Sequence, residues 1–195
     1  MKLNSQYKII ALILGLLLLL TSCNSGESES SQKNTPSLGG AFTLQSVDGD
    51  VSLSDFKGKV VMLYFGYTSC PDICPSSLAM MSMALKALSK EESQQVQPIL
   101  ISLDPERDNA KKLKEYVTYF LPNMIGLTGT KDEIKKIAKD YNVSFRKTDV
   151  DSSLGYVVDH SSIYFIIGKD GKLFSHLLHN VTSEEITNKV KQAIQ

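Results

Sequence analysis

Lys59-Val-Val-Met-Leu-Tyr-Phe65 is an unbroken apolar run closed by Gly66. Such a run suits a strand buried on both faces, which requires a packing layer above and another below it. Residues 96–103 supply a second buried strand. Between and after these strands, apolar residues recur at helical spacing. Leu78, Met81, Leu85 and Leu88 mark one helix, and Leu113, Tyr116, Val117 and Phe120 mark another that Asp108 is expected to cap. Thr130-Lys-Asp-Glu133 is a capping box opening a helix with Ile134, Ile137 and Ala138. Residues 163–167 and 172–178 flank Gly168-Lys-Asp-Gly171 as a hairpin, and Thr182-Ser-Glu-Glu185 caps a last helix through Ile194. Nearer the start, residues 41–45 and 51–53 alternate around Asp48-Gly49, another hairpin.

This order predicts an α/β fold: a three-layer sandwich with a central mixed sheet, helices on both faces and an N-terminal hairpin extension. It is the element order of a thioredoxin-like domain with an inserted helix. The chain of 195 residues shows no repeat and no interior linker, so one folded domain is expected over 39–195. A composition of 42% hydrophobic and 22% charged residues is globular. Basic and acidic residues balance at 21 each, which gives no electrostatic footprint for nucleic acid.

The start of the chain reads as an address. Lys2 and Lys8 precede an apolar run over 9–20 interrupted only by Gly15, too short for a bilayer that needs about 20 residues. Leu20-Thr21-Ser22-Cys23 resembles a bacterial lipobox, so residues 1–22 are expected to be a lipoprotein signal peptide and Cys23 the lipidated residue. Residues 23–38 then form a flexible tether without large apolar side chains until Leu38. Lys2 and Lys8 leave with the leader, so 19 basic residues would face 21 acidic ones. The expected location is extracytoplasmic, on the periplasmic side of a bacterial membrane and anchored to it by lipid.

With Cys23 assigned to the anchor, Cys70 and Cys74 remain as a pair. They lie in Tyr64-Phe-Gly-Tyr-Thr-Ser-Cys70-Pro-Asp-Ile-Cys74-Pro75, between the first buried strand and its helix. Pro75 would sit too deep in a helix begun at Pro71, so the regular helix is expected to start at Pro75, with Cys74 as its N-cap. The N-terminal end of a helix favours thiolate. Two such sulfurs can form a disulfide or ligate one metal ion; the bland reading is a buried inert pair. A third donor must come from His160, His176 or His179. His176 and His179 are three apart on an expected strand and cannot face one site. His160 lies just before residues 163–167, in a loop that a thioredoxin-like sheet carries toward the cysteine turn. Two thiolates and an imidazole form a soft set of three. Structural zinc normally takes four protein ligands, whereas thiolate selects Cu(I) and imidazole also suits Cu(II), so copper is the preferred metal. The methionines of Ala79-Met-Met-Ser-Met-Ala84 are expected to fill the core rather than bind metal.

The sequence resembles the Sco-type, SenC-like copper proteins, assembly factors of cytochrome c oxidase. The resemblance is carried by Gly39-Gly-Ala-Phe-Thr-Leu44, the cysteine segment, Ile101-Ser-Leu-Asp-Pro-Glu-Arg-Asp108, Leu127-Thr-Gly129 and Asp159-His-Ser-Ser162. It implies a thioredoxin-like fold that binds copper through Cys70, Cys74 and His160, with Asp72, Asp104, Arg107 and Asp159 in the surroundings of the site. For Asp104 and Arg107 a helix cap with a surface ion pair is an equal reading. The implied partners are the oxidase's copper-bearing subunit and an upstream periplasmic copper donor. Many relatives carry a transmembrane helix where this chain carries a lipobox. The competing function is a thiol–disulfide oxidoreductase acting through Cys70 and Cys74, against which stand the C-x₃-C spacing and the lack of any proline after Pro122. A peroxiredoxin-like peroxidase would leave His160 without a task.

Overall fold

A computed structural model describes residues 38–195. The expected leader, the Cys23 lipidation site and the tether up to residue 37 lie outside the described residues. The described chain opens with a hairpin, β1 (Thr43–Ser46) and β2 (Gly49–Ser52), followed by a 3-10 turn at Leu53–Phe56. The central elements are β3 (Val60–Gly66), α1 (Ile73–Lys86), the short α2 (Lys90–Ser93), β4 (Val96–Ser102), α3 (Ala110–Phe120), β5 (Ile125–Leu127) and α4 (Lys131–Asp140). A second hairpin, β6 (Phe145–Asp149) and β7 (Tyr156–His160), precedes β8 (Ile163–Ile167), β9 (Leu173–Leu178) and α5 (Ser183–Ile194).

The main sheet has five strands in the order β5-β4-β3-β8-β9. β3 pairs parallel with β4 and antiparallel with β8, so the sheet is mixed and β3 is central. Every residue of β3 is buried, as its unbroken apolar run requires. Register assigns its two faces: Tyr64 pairs with Tyr164, and Leu63 with Phe165. On the tyrosine face the Tyr164 hydroxyl donates to the Ser77 carbonyl of α1 (2.9 Å), and α5 lies against α1 through a Thr187 hydroxyl bond to the Ala84 carbonyl (3.0 Å). On the other face Phe65 and Phe165 pack on Tyr141, the residue that ends α4. Three layers result, as the alternation of strands and helices predicts.

Four local expectations need correction. The cysteine helix begins at Ile73 rather than Pro75, with Asp72 as N-cap. Pro75 is then the third helical residue, still within the first turn whose N–H groups have no intrahelical acceptor, so the ring costs nothing there. Asn109, not Asp108, caps α3, its side chain accepting from the Lys112 N–H at 2.9 Å. His160 ends a strand instead of lying in a loop, and that strand belongs to a two-stranded ribbon separate from the main sheet. Of the three methionines, Met81 is core and Met80 half-buried, but Met83 is 60% exposed and fills nothing.

Candidate metal centre

The site forms where β3 delivers its chain to α1. Beyond Gly66 the segment Tyr67–Ser69 must turn sharply, and a buried acid holds it there. The Asp108 carboxylate accepts from the Thr68 N–H (2.9 Å), the Thr68 hydroxyl (2.5 Å), the Ser102 hydroxyl (2.7 Å) and Lys112 Nζ (3.2 Å). A fully buried carboxylate is tolerable only with such a set of donors, and here they come from three separate stretches of chain.

Cys70 and Cys74 follow. Asp72 makes no side-chain cap bond, although it holds the N-cap position. The Cys74 N–H donates instead to Cys70 Sγ at 3.4 Å, so a sulfur takes the place a capping oxygen usually fills. The Cys70 thiol is lowered to about 5: the Cys74 thiol donates to it, as do the backbone N–H groups of Asp72 and Cys74, against an opposing cost of burial. Cys74 is pushed strongly upward, first by donating to Cys70, then by burial and by the neighbouring negative charge. Free and reduced, the pair is therefore one thiolate at Cys70 and one thiol at Cys74. Cys74 is completely buried while Cys70 keeps 8% exposure, which gives Cys70 the outer position. Gly66 makes room for this: a Cβ there would lie 3.0 Å from Cys74 Sγ.

His160 arrives from the ribbon. Its Nδ1 lies 2.9 Å from the Val158 carbonyl, a contact that places the proton on Nδ1 and leaves the Nε2 lone pair free. Nε2 is 3.6 Å from Cys74 Sγ. The ring stands edge-on to Tyr64 and Tyr67, with centroids 6.5 and 5.8 Å away. The Tyr67 hydroxyl accepts from the Val158 N–H (3.1 Å) and lies beside Cys70; burial, chiefly, pushes it up to about 12. Both peptide groups of Val158 thus serve the site, one fixing the imidazole and the other tying the ribbon to the cysteine loop.

Asp104 and Arg107 act further back. Asp104 is fully buried, ion-paired with Arg107 Nε and accepting from the Tyr156 hydroxyl at 2.8 Å. Arg107 Nη1 donates to the carbonyls of Leu154 (3.1 Å) and Tyr156 (3.0 Å), and its guanidinium lies 3.6 Å from the centroid of the Tyr156 ring. The pair is interior, not a surface ion pair, and it grips the strand that carries His160. Asp72 and Asp159 line the hollow of about 390 Å³ that Cys70, Tyr67 and His160 share. Asp72 is exposed, and Asp159 points outward, accepting from the Thr148 hydroxyl (2.6 Å) with Arg146 3.6 Å away. His176 and His179 are exposed, and His179 lies past the end of β9 rather than on it. Sequence reading does not single out Tyr67, Tyr156 or Val158, and it gives Asp108 only the part of a helix cap. Tyr67 sits inside the cysteine motif and Asp108 closes the Asp-Pro-Glu-Arg-Asp motif, so their positions were the available signal. Among the described residues, no three His, Cys, Asp or Glu side chains stand close enough together to hold a metal ion as they are. The site is an open one that a bound ion would draw together.

A family model described as SCO1/SenC matches residues 30–195. The chain belongs to the SCO1/SenC family. The mitochondrial protein SCO2 of Saccharomyces cerevisiae is 38% identical over 160 residues, 81% of this chain and 53% of that protein. The chain spans about half the length of the curated mitochondrial Sco proteins it matches (47% to 55%). Among solved Sco structures, Arabidopsis thaliana ScoI with copper bound superimposes with a TM-score of 0.75 at 39% identity, covering 81% of this chain and 98% of that one. A SCO1/SenC family lipoprotein from Bacillus anthracis superimposes with a TM-score of 0.69 at 28% identity, covering 84% and 99%.

Proposed function

We propose that this Sco-family protein is a lipid-anchored, extracytoplasmic copper chaperone that supplies the copper centre of cytochrome c oxidase. Cys70, Cys74 and His160 would hold the copper as cargo. The observation that carries the reading is the Cys74–His160 approach with its free Nε2. The 3.6 Å between these atoms lets one ion touch both, and the Nε2 lone pair is free to reach it. The donor set suits Cu(I), which accepts low coordination, and the imidazole also suits Cu(II). Support for the metal's identity comes from the copper-bound Arabidopsis relative.

The residues divide the work. Cys70 is already a thiolate near neutral pH and offers the first bond. Cys74 gives up its proton as the metal replaces it, so loading releases a proton. His160 binds as the neutral imidazole through Nε2, its Nδ1 proton kept on Val158. Cys74 is fully buried, whereas Cys70, 8% exposed, and the half-buried His160 line a hollow, so an incoming thiolate of the oxidase's copper-bearing subunit would displace these two ligands first. An upstream periplasmic copper donor would load the site by the same exchange. Asp104, Arg107, Asp108 and Tyr67 position the donors without touching the ion; Asp72 adds its backbone N–H to Cys70, and Asp159 borders the hollow beside His160. The Cys23 anchor, which the Bacillus anthracis lipoprotein makes reasonable, would hold the site near a membrane-embedded recipient. Metabolic labelling with a radioactive fatty acid tests it: wild type should take up label and Cys23→Ala should not.

The apposed thiolate and thiol favour a second reading, reduction of the recipient's cysteines. Cys70 would attack a target disulfide sulfur, Cys74 would resolve the mixed disulfide, and two target thiols would leave as Cys70 and Cys74 become a disulfide. A Cu(I) competition titration on reduced fragment 38–195 separates the two. The chaperone reading predicts one Cu(I) per chain, weakened by His160→Ala. Copper affinity indifferent to His160, together with rapid disulfide reduction, would transfer the assignment to the oxidoreductase.

A further inference from the structure

Beside the metal centre lies a groove of about 360 Å³ that copper binding does not use. Leu103, Pro105, Ile134 and Phe145 form its apolar floor. Around it stand Lys131 and Lys135 from α4 and Arg146 and Lys147 from β6, with Glu106 as the one acid. Four cations stand against Glu106, and Asp159, 3.6 Å from Arg146, is the next acid, which leaves a net positive rim on a chain whose total charge is zero. Glu106 shows how the rim receives an anion: its carboxylate is ion-paired with Lys131 and Lys147 together, and those two ammonium groups hold it down to about 2. Lys135 has no carboxylate partner among the described residues. The groove is also continuous with the site. Phe145 and Arg146 line a second hollow of about 370 Å³ that reaches Asp159 and His160, and Phe145 pairs in register with His160.

We infer that this groove docks an acidic surface segment, bearing one large apolar side chain, of the protein that takes copper from the site. The inference rests on the chaperone reading above. Its chemistry follows from the lining: an apolar side chain covers the floor, while carboxylates engage Lys135 and exchange with Glu106 on Lys131 and Lys147. A segment seated there lies alongside the ribbon, which holds the recipient's ligands against the outer side of Cys70 and His160. Opposed charge of this kind acts mainly on the rate of encounter, not on the metal affinity.

The test is stopped-flow transfer of Cu(I) from the loaded chain to the reduced, copper-free soluble domain of the oxidase's copper-bearing subunit. The comparison is with the double variant Lys131→Glu, Lys135→Glu. Both positions are exposed, and Lys131 is the first residue of α4, where the helix dipole accepts an acid, so the variant should fold. The wild-type second-order rate should fall roughly tenfold as salt rises from about 20 to about 200 mM. The variant should be roughly tenfold slower at low salt and nearly indifferent to salt, with Cu(I) affinity against a chelator unchanged. Equal rates and equal salt slopes would overturn the docking role. So would an unchanged transfer rate in a variant that has lost binding to phosphatidylglycerol vesicles, since the groove would then face lipid. A wild-type chain that binds Cu(I) but delivers none at any salt would remove the chaperone reading itself and the docking role with it.

Discussion

The two cysteines differ because the helix starts two residues before Pro75. Starting there turns the Cys74 N–H toward Cys70 and leaves the Cys74 thiol inside, where it can donate only to its neighbour. The consequence is measurable. Cys70 is lowered to about 5, so it is a thiolate at every pH above that value and its charge is lost only as pH falls through it. Alkylation of Cys70 by iodoacetamide, followed by peptide mass mapping, should be flat from about pH 6 upward, whereas an unperturbed thiol with pKa near 8.5 would still be gaining reactivity at pH 8. Cys74 should stay unlabelled across that range. A rate rising through pH 8 to 9 would show an ordinary thiol instead. Gly66 sets the other residue-scale limit. A methyl group there would press on Cys74 Sγ at 3.0 Å and on Tyr64 Cε1 at 3.1 Å, both buried. Gly66→Ala should cost about 1–3 kcal/mol in a urea melt, as overpacking does, and should weaken Cu(I) binding as well.

At the scale of elements, the ribbon β6–β7 matters most, because it holds His160 yet shares no hydrogen-bonded edge with the main sheet. Arg107 compensates by reaching two of its carbonyls and stacking on Tyr156, while Asp104 takes the Tyr156 hydroxyl. Arg107→Ala should therefore speed amide hydrogen exchange over residues 154–160 and lower Cu(I) affinity by roughly 10–100-fold, the range seen when residues supporting a metal ligand are removed. Arg107→Lys should rescue little, since an ammonium lacks the planar fork that serves both carbonyls. Unchanged exchange would mean the ribbon is held by other contacts. Asp108→Ala should act on the opposite wall: it strands the Thr68 and Ser102 donors and should destabilise the fold by about 2–4 kcal/mol, read by thermal or chemical unfolding.

These elements also mark where sequence was readable. β3 and β4 show as unbroken apolar runs and the helices as apolar residues at helical spacing, which place them close to their observed bounds. β5 has only three residues, too few for any pattern. β6 reads Phe-Arg-Lys-Thr-Asp and is mostly exposed, so no buried face announces it. Asp108 misled because an acid ahead of a helix has the same appearance whether it caps the helix or is buried as a hub. The start of α1 misled because a proline at the third helical position is as acceptable as one at the first.

For the whole molecule, the legible part was the convergence itself: topology brings a segment about ninety positions later to the end of the central strand β3. Sequence named Cys70, Cys74 and His160 without fixing which sulfur is outer, which imidazole nitrogen is free, or what holds the ribbon. What holds the ribbon and the cysteine turn depends on hydrogen bonds between residues 40 to 91 positions apart, such as Thr68 to Asp108 and Val158 to Tyr67, that no local pattern encodes. The free nitrogen and the outer sulfur follow from contacts only two and four positions apart, whose geometry the fold sets. The measurement that tests the central claim most directly is X-ray absorption at the copper edge on the Cu(I)-loaded chain, wild type beside His160→Ala. Two sulfur ligands and one imidazole nitrogen, with the nitrogen lost in the variant, is the predicted result. An all-sulfur shell in the wild type, unaltered by the substitution, would contradict it.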